Sequence, residues 1–127
     1  MSGMFRYCSS LAYVEVTNFD TKKVKDMSCM FQNCKTMREI DVSNFDTSSV
    51  TDLSELFSEC SSLLAIDVSH FDTKNLQDMA FMFSFYSTLQ KINVSSFNTQ
   101  NVDDLSCMFN NLVKLSKLDF QILILLK

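Results

Sequence analysis

A unit of 26 residues repeats along this 127-residue chain without insertion, and this repeat constrains the fold more than any other feature. Such a unit cannot bury its apolar face alone, so successive copies must stack into one continuous core. We predict a single repeat domain over residues 4–127, with four full copies, most of a fifth, and an atypical apolar tail over 121–127. Two columns define the register: Met4-Phe5, Met30-Phe31, Leu56-Phe57, Met82-Phe83 and Met108-Phe109, and then Phe19, Phe45, Phe71 and Phe97.

The first half of each copy has the pattern of a short strand. In the third copy Leu63, Ile66, Val68 and Phe71 follow the leucine-rich-repeat spacing L-x-x-L-x-L-x-x-N, with Phe in the final position. Apolar and polar residues alternate around Ile66, which predicts a strand with its apolar side chains directed inward. Stacked copies would place these strands in a parallel sheet at a spacing of about 4.8 Å.

The second half of each copy has helical spacing. Val24, Met27, Phe31 and Cys34 fall at i, i+3, i+7 and i+10, which would place one apolar stripe of a helix against the core. The predicted fold class is therefore α/β: a right-handed leucine-rich-repeat solenoid, with short parallel strands on the concave side and short helices on the convex side. A column of carboxylates would cap these helices, an interpretation that we prefer to a metal site: Asp26, Asp52, Asp78 and Asp104.

The cysteines and the single histidine suggest packing rather than chemistry. Cys8, Cys34 and Cys60 share a column that continues as Tyr86 and Leu112, which favours buried thiols over the alternative of a disulfide. No paired spacing suits zinc, and His70 falls in a polar turn position. We therefore predict a non-enzymatic protein with no catalytic residue, no cofactor and no metal.

The candidate binding site is the outward side of the predicted strands. A repeated framework with a variable exposed column is typical of a recognition face on a repeat protein, although a merely solvated sheet face is the alternative. The first column is mostly acidic and the second is variable: Glu15, Asp41, Asp67, Asn93 and Asp119, beside Tyr13, Glu39, Ala65, Lys91 and Lys117.

Charge and hydropathy restrict the partners. The net charge of −4 disfavours a nucleic acid, and no apolar run approaches the roughly 20 residues that a membrane span needs. Residues 1–6 lack the features of a signal peptide, so a complete chain would be cytoplasmic. A protein partner is the remaining expectation.

The segment from Met30 to Leu53 resembles the repeat of the BspA-like leucine-rich-repeat surface proteins. The resemblance is carried by Met30-Phe31-x-x-Cys34 and by the run from Ile40 to Asp52, and it extends over about residues 4 to 120. It implies a protein of the cell surface or extracellular space that takes part in adhesion. The implied partners are host extracellular matrix or plasma proteins, such as fibronectin and fibrinogen. The alternative is a structural repeat protein, or a truncated fragment of a longer array, that associates end to end.

Overall fold

The computed structural model describes residues 1–112, 114 and 117–119, the last three through their backbone. Within this part, residues that are 26 apart in sequence take equivalent positions in successive coils, where a coil is one folded 26-residue repeat. The rings of the first Phe column stack between coils, with centroids 5.5 Å apart for Phe5 and Phe31 and 5.6 Å apart for Phe31 and Phe57. The predicted 26-residue stacking is confirmed here, while the tail over 121–127 lies outside the described residues.

Among the described residues, three short strands form one parallel sheet in chain order. They are β1 (Ala65–Ile66), β2 (Lys91–Asn93) and β3 (Lys117–Asp119). Ala65 pairs with Lys91 and Lys91 with Lys117, so equivalent residues of successive repeats are direct neighbours. The predicted parallel pairing in phase with the repeat is thus correct for these three copies, but the strands predicted in the first two copies, around Val14 and Ile40, do not form.

The second half of each copy forms turns, and no helix occurs among the described residues. In the second coil, the amide of Met30 donates to the carbonyl of Met27 at 3.3 Å, and the amide of Cys34 donates to that of Phe31 at 3.2 Å. The third residue of each turn has a positive φ, 56° at Cys29 and 62° at Asn33. These are tandem turns of four residues, and a positive φ at the third position is the signature of a type II turn.

Alternate amides in this half donate to the next coil instead of to their own. Met27 donates to the carbonyl of Asp52 at 3.0 Å, and Cys29 donates to that of Ser54 at 2.9 Å. An α-helix would keep every interior amide within its own segment. The prediction of an α/β leucine-rich-repeat solenoid with helices on its convex side is therefore wrong.

The apolar pattern fits tandem turns as well as it fits a helix, which explains the error. Two consecutive four-residue turns direct their first and fourth residues inward, and these are Met27, Met30, Phe31 and Cys34, all buried. The resulting spacing of i, i+3, i+4 and i+7 is the spacing of one face of a helix. Hydrophobic periodicity alone does not separate the two structures.

The core is continuous along the stack. The side chains of Phe45, Phe71 and Phe97 are buried, and Phe19 packs against the same cluster while partly exposed. The expected burial of this second Phe column is thus confirmed, with Phe19 of the first coil its least buried member.

The repeated aspartates stabilise turns, because the helices that they were predicted to cap do not form. Oδ1 of Asp52 accepts hydrogen bonds from the amide of Ser54 at 2.8 Å and from its hydroxyl at 2.7 Å. Asp26, Asp78 and Asp104 accept the equivalent amide bond at 2.7 to 2.8 Å. Each carboxylate therefore fixes the backbone that leads into the first of the two tandem turns.

Candidate functional site

The structure places most of the predicted face on the surface, and this set of residues is called the strand face below. The backbone of β2 and β3 sets Lys117 beside Lys91 and Asp119 beside Asn93. Asn93 is half-buried, and the other seven with described side chains are exposed: Tyr13, Glu15, Glu39, Asp41, Ala65, Asp67 and Lys91.

A groove of about 370 Å³ opens on the strand face around Ala65, and we call it the Ala65 groove. The short side chain of Ala65 leaves space between Glu39 and Lys91, which occupy the same column in the flanking coils. The groove thus has an acidic side and a basic side. Its full lining is Glu39, Ile40, Ala65, Ile66, Asp67, Ser69, Lys91, Ile92 and Asn93.

The acidic column of the strand face also has a structural role that the sequence analysis missed. Oδ1 of Asp67 accepts hydrogen bonds from the amide of Ser69 at 2.9 Å and from its hydroxyl at 2.6 Å. Oδ1 of Asn93 accepts the same pair from Ser95, at 3.0 and 2.7 Å. The signal was present in the sequence, because Asx-x-Ser is the spacing of a side chain that bonds the backbone two residues later.

These hydrogen bonds stabilise the ionised form of the carboxyl groups. The hydroxyl and then the amide of Ser69 hold the pKa of Asp67 below its usual value, and Ser43 does the same for Asp41. Both groups are exposed, so a partner can still reach their second oxygen.

In the first coil the strand face carries a small hydrogen-bonded cluster. The hydroxyl of Tyr13 donates to Glu15 at 3.0 Å, and Glu15 also accepts from the hydroxyl and the amide of Thr17. The bond to Glu15 raises the pKa of Tyr13, while the hydroxyl of Thr17 holds the pKa of Glu15 below its usual value. Tyr13 is thus oriented on an exposed surface, as an aromatic contact residue would need.

All five cysteines are free thiols, which excludes the disulfide alternative in this structure. Cys34 and Cys60 are buried, as predicted for packed thiols, but the prediction is wrong for Cys8 of the first coil, which is exposed. Cys107 is also exposed, and Cys29 is intermediate. Burial raises the pKa of Cys34 to about 11 and also raises that of Cys60. These two buried groups are thiols rather than thiolates at neutral pH, which is the unreactive form.

The remaining chemical candidates also have structural partners. Nε2 of His70 lies 3.0 Å from the carbonyl oxygen of Val42, in the column where Asn44 donates to the carbonyls of Val16 and Thr17. In the described part of the chain, no group of three or more His, Cys, Asp or Glu side chains could hold a metal ion. His70 is therefore a link between coils, consistent with its interpretation as a turn residue.

A second depression, of about 340 Å³, lies on the turn side of the coils and was not anticipated from the sequence. It is lined by Lys35, Glu59, Ser61 and Phe85, and its ends are joined by a 3.9 Å contact between Lys35 and Glu59. The ion pair occupies the charged groups of this depression, which leaves the Ala65 groove as the better candidate site.

Comparison with known proteins assigns a family. The chain matches the family described as Mycoplasma protein of unknown function, DUF285, over residues 1–120, and it belongs to that family. Neither the curated proteins nor the solved structures provide a match. Among the described residues, no helix has the length and apolar character to cross a membrane.

Proposed function

We propose that this chain is a non-enzymatic protein-binding module and that its strand face contacts the partner. The observation that carries the proposal is the Ala65 groove, an exposed concave surface with Glu39 on one side and Lys91 on the other. Concave surfaces with a few convergent polar groups are where proteins recognise ligands. Here the opposite charges on the two sides of the groove would also favour one orientation of the bound partner.

The proposed role is adhesion, and the support for it is the resemblance of the 26-residue repeat to BspA-like surface proteins. Under this proposal the chain acts at the cell surface or outside the cell, and its partners are host extracellular matrix or plasma proteins. A net charge of −4 favours basic or neutral surfaces on the partner.

The size of the strand face limits the affinity of one chain. Five stacked coils at the strand spacing of about 4.8 Å give a width of about 24 Å, and three outer residues per coil give a height of about 10 Å. This area is below the roughly 800 Å² per partner of a standard interface. We therefore expect weak binding by a single chain and a strong gain when several copies act together.

The test is binding to immobilised fibronectin and fibrinogen, measured by surface plasmon resonance with the chain displayed in several copies. Lys91→Glu reverses the basic side of the groove and should weaken binding by about tenfold, a change of about 1.4 kcal/mol. Lys23→Glu makes the same charge change at an exposed residue outside the strand face and should leave binding unchanged. Equal effects of the two variants, or no binding by the wild type, would contradict the proposal.

The first coil supports a second proposal, a structural role through self-association. Its amides at Gly3 and Phe5 donate to the second coil, and the side chain of Met4 is half exposed. Within the described residues, the carbonyl oxygens of Ser2, Met4 and Arg6 accept no hydrogen bond from another residue. Such an edge can pair with a coil of another molecule.

Light scattering over a range of protein concentrations tests self-association. The proposal requires a particle mass that rises with concentration, and Met4→Lys should suppress that rise by placing a charge at the pairing edge. A mass that stays at the monomer value at all concentrations would contradict the structural role and leave the binding proposal untouched.

A further inference from the structure

We infer that the Ala65 groove takes an extended segment of a partner protein that carries a basic, an apolar and an acidic side chain at alternate positions. The inference rests on the proposed function, since it assigns the chemistry of the segment that the strand face would bind. Three features of the groove specify that segment: its floor, its two charged sides and the distance between them.

The floor of the groove is apolar and narrow. Ala65 pairs in register with Lys91, and Ile66 and Ile92 pair beneath with their side chains buried. The methyl group of Ala65 is the only side-chain atom that this column contributes between Glu39 and Lys91. A volume of about 370 Å³ leaves ample space for an apolar side chain of medium size above Ala65.

The charged sides of the groove are free to bind a partner. Ion pairs among the described residues join Lys35 to Glu59 and Lys74 to Asp72, and neither Glu39 nor Lys91 takes part in one with another described residue. Both side chains are exposed. They would attract a basic group at the Glu39 side and an acidic group at the Lys91 side.

Asp67 strengthens the acidic character of the groove. Its Oδ1 accepts from Ser69, and the other carboxylate oxygen remains available to a donor on the partner. The Asp67 carboxylate is ionised at neutral pH, as an ordinary Asp would be, and the same hydrogen bonds lower its pKa further. A partner that places two acidic groups over the groove would therefore meet repulsion.

The distance between the charged sides matches an extended segment. Glu39 and Lys91 lie two coils apart, so at the strand spacing their backbones are separated by about 10 Å. Alternate side chains of an extended segment share one face at intervals of about 6.8 Å. The first and fifth residues would then be about 14 Å apart, and the long side chains of both partners bridge the difference. The third residue would lie over Ala65.

The test uses three blocked seven-residue peptides in which Ser separates the informative positions. Their central side chain is Leu, and the flanking pair is Arg and Glu, two Arg, or two Glu. Fluorescence anisotropy of labelled peptides measures the affinity of each. The wild type should bind the mixed peptide about tenfold more tightly than either peptide with two like charges.

Variants of the two sides should change this preference in opposite directions. Lys91→Glu makes both sides acidic and should favour the peptide with two Arg, whereas Glu39→Lys should favour the peptide with two Glu. Ala65→Leu fills the groove and should lower the affinity for each of the three peptides by about tenfold or more. Lys23→Glu is the control, and its preference should match that of the wild type.

Three results would overturn the inference: no peptide bound by the wild type, equal affinity for all three, or an unchanged preference in Lys91→Glu. Parallel measurements of binding to fibronectin and fibrinogen distinguish a failure of this inference from a failure of the proposed function. Matrix binding that Lys91→Glu weakens, without any peptide preference, would preserve the binding role and refute the extended segment. A clear peptide preference without matrix binding would support the groove chemistry and refute adhesion to those proteins.

Discussion

The hydroxyl of Tyr86 donates a hydrogen bond to the carbonyl oxygen of Phe57 at a distance of 2.7 Å. One coil earlier, the thiol of Cys60 donates to the carbonyl oxygen of Phe31 at 3.1 Å. Both acceptors lie 29 residues before their donors, so the two side chains perform the same task at equivalent positions. This column thus combines apolar bulk with a donor that links neighbouring coils.

Removing the Tyr86 hydroxyl tests the value of that link. Tyr86→Phe should lower the free energy of unfolding by about 1 kcal/mol, because a fully buried hydrogen bond is lost while the ring remains. Urea denaturation followed by circular dichroism measures the change. Tyr13→Phe removes the hydroxyl of an exposed tyrosine and should cost less than half as much, so equal losses would contradict the assigned role.

The positive φ angles predict substitutions that stabilise the chain. Glu59 has a φ of 59°, and Asn occupies the equivalent positions 33 and 111 in two other coils. Because Asn tolerates the left-handed region better than Glu does, Glu59→Asn should raise the free energy of unfolding by about 1 kcal/mol. The exposed contact of Glu59 with Lys35 contributes little against this gain.

Thermal and urea unfolding of Glu59→Asn give the measurement, with Glu39→Asn as the control. Glu39 is exposed and has no positive φ, so the same substitution there should leave stability nearly unchanged. A loss of stability in Glu59→Asn would show that the turn does not adopt the left-handed conformation.

The turn at Asp67 predicts how stability depends on pH. Hydrogen bonds from Ser69 lower the pKa of Asp67 in the folded state, so the carboxylate contributes stability above its unfolded pKa of about 3.9. This contribution is lost as the pH falls through the lower folded pKa. Protonation of Asp67 should therefore lower the free energy of unfolding of the wild type in acid. Protonation of Asp41 should do so for the same reason.

Two substitutions at Asp67 distinguish the contribution of its charge to stability from that of its hydrogen bonds in the turn. Asp67→Asn should keep the stability of the wild type at pH 7, since Asn93 makes the same bonds in the next coil, and should weaken the dependence on acid. Asp67→Ala removes the acceptor and should be less stable than Asp67→Asn at every pH. If Ala and Asn were equivalent at pH 7, the turn would not depend on this side chain.

The thiols should divide into classes by their rate of modification. Cys8 and Cys107 are exposed and should react first with a maleimide at pH 7.5, and the half-exposed Cys29 should follow. Cys34 and Cys60 should react only after denaturation, because both are buried and burial raises the pKa of Cys34 to about 11. Mass spectrometry of peptides after timed labelling gives the order, and early labelling of Cys60 would contradict the packing.

The sequence was sufficient to predict what depends on the repeat itself. Equivalent residues such as Ala65 and Lys91 are neighbours in the sheet, and Phe31 stacks on Phe57, because an uninterrupted period leaves one register for stacking. The outward positions of the strand face followed from the alternation around Ile66. The Ala65 groove required the structure, since its volume depends on how two long side chains flank a short one.

The turns of the second half were missed because their usual markers are almost absent from the chain. Gly3 is the only glycine, and it has a φ of 62° in the column that continues as Cys29 and Glu55. Gly3 indicates a left-handed position in its own column, and Asn33 indicates another in the column that lies four residues later in each copy. Residues such as Cys and Glu disfavour this conformation, so the remaining copies obscured the signal.

Because alternate amides in the turns of one coil donate to carbonyls of the next, the junctions between the described coils are all of the same chemical kind. A gene that gained or lost a whole 26-residue unit would reproduce that joint and extend or shorten the surface by one strand. A single inserted codon would instead disturb the one junction that spans it, because the two equivalent Phe residues on either side would no longer be 26 residues apart. The length of the exposed surface can thus evolve in steps of one repeat, without a change in any individual contact.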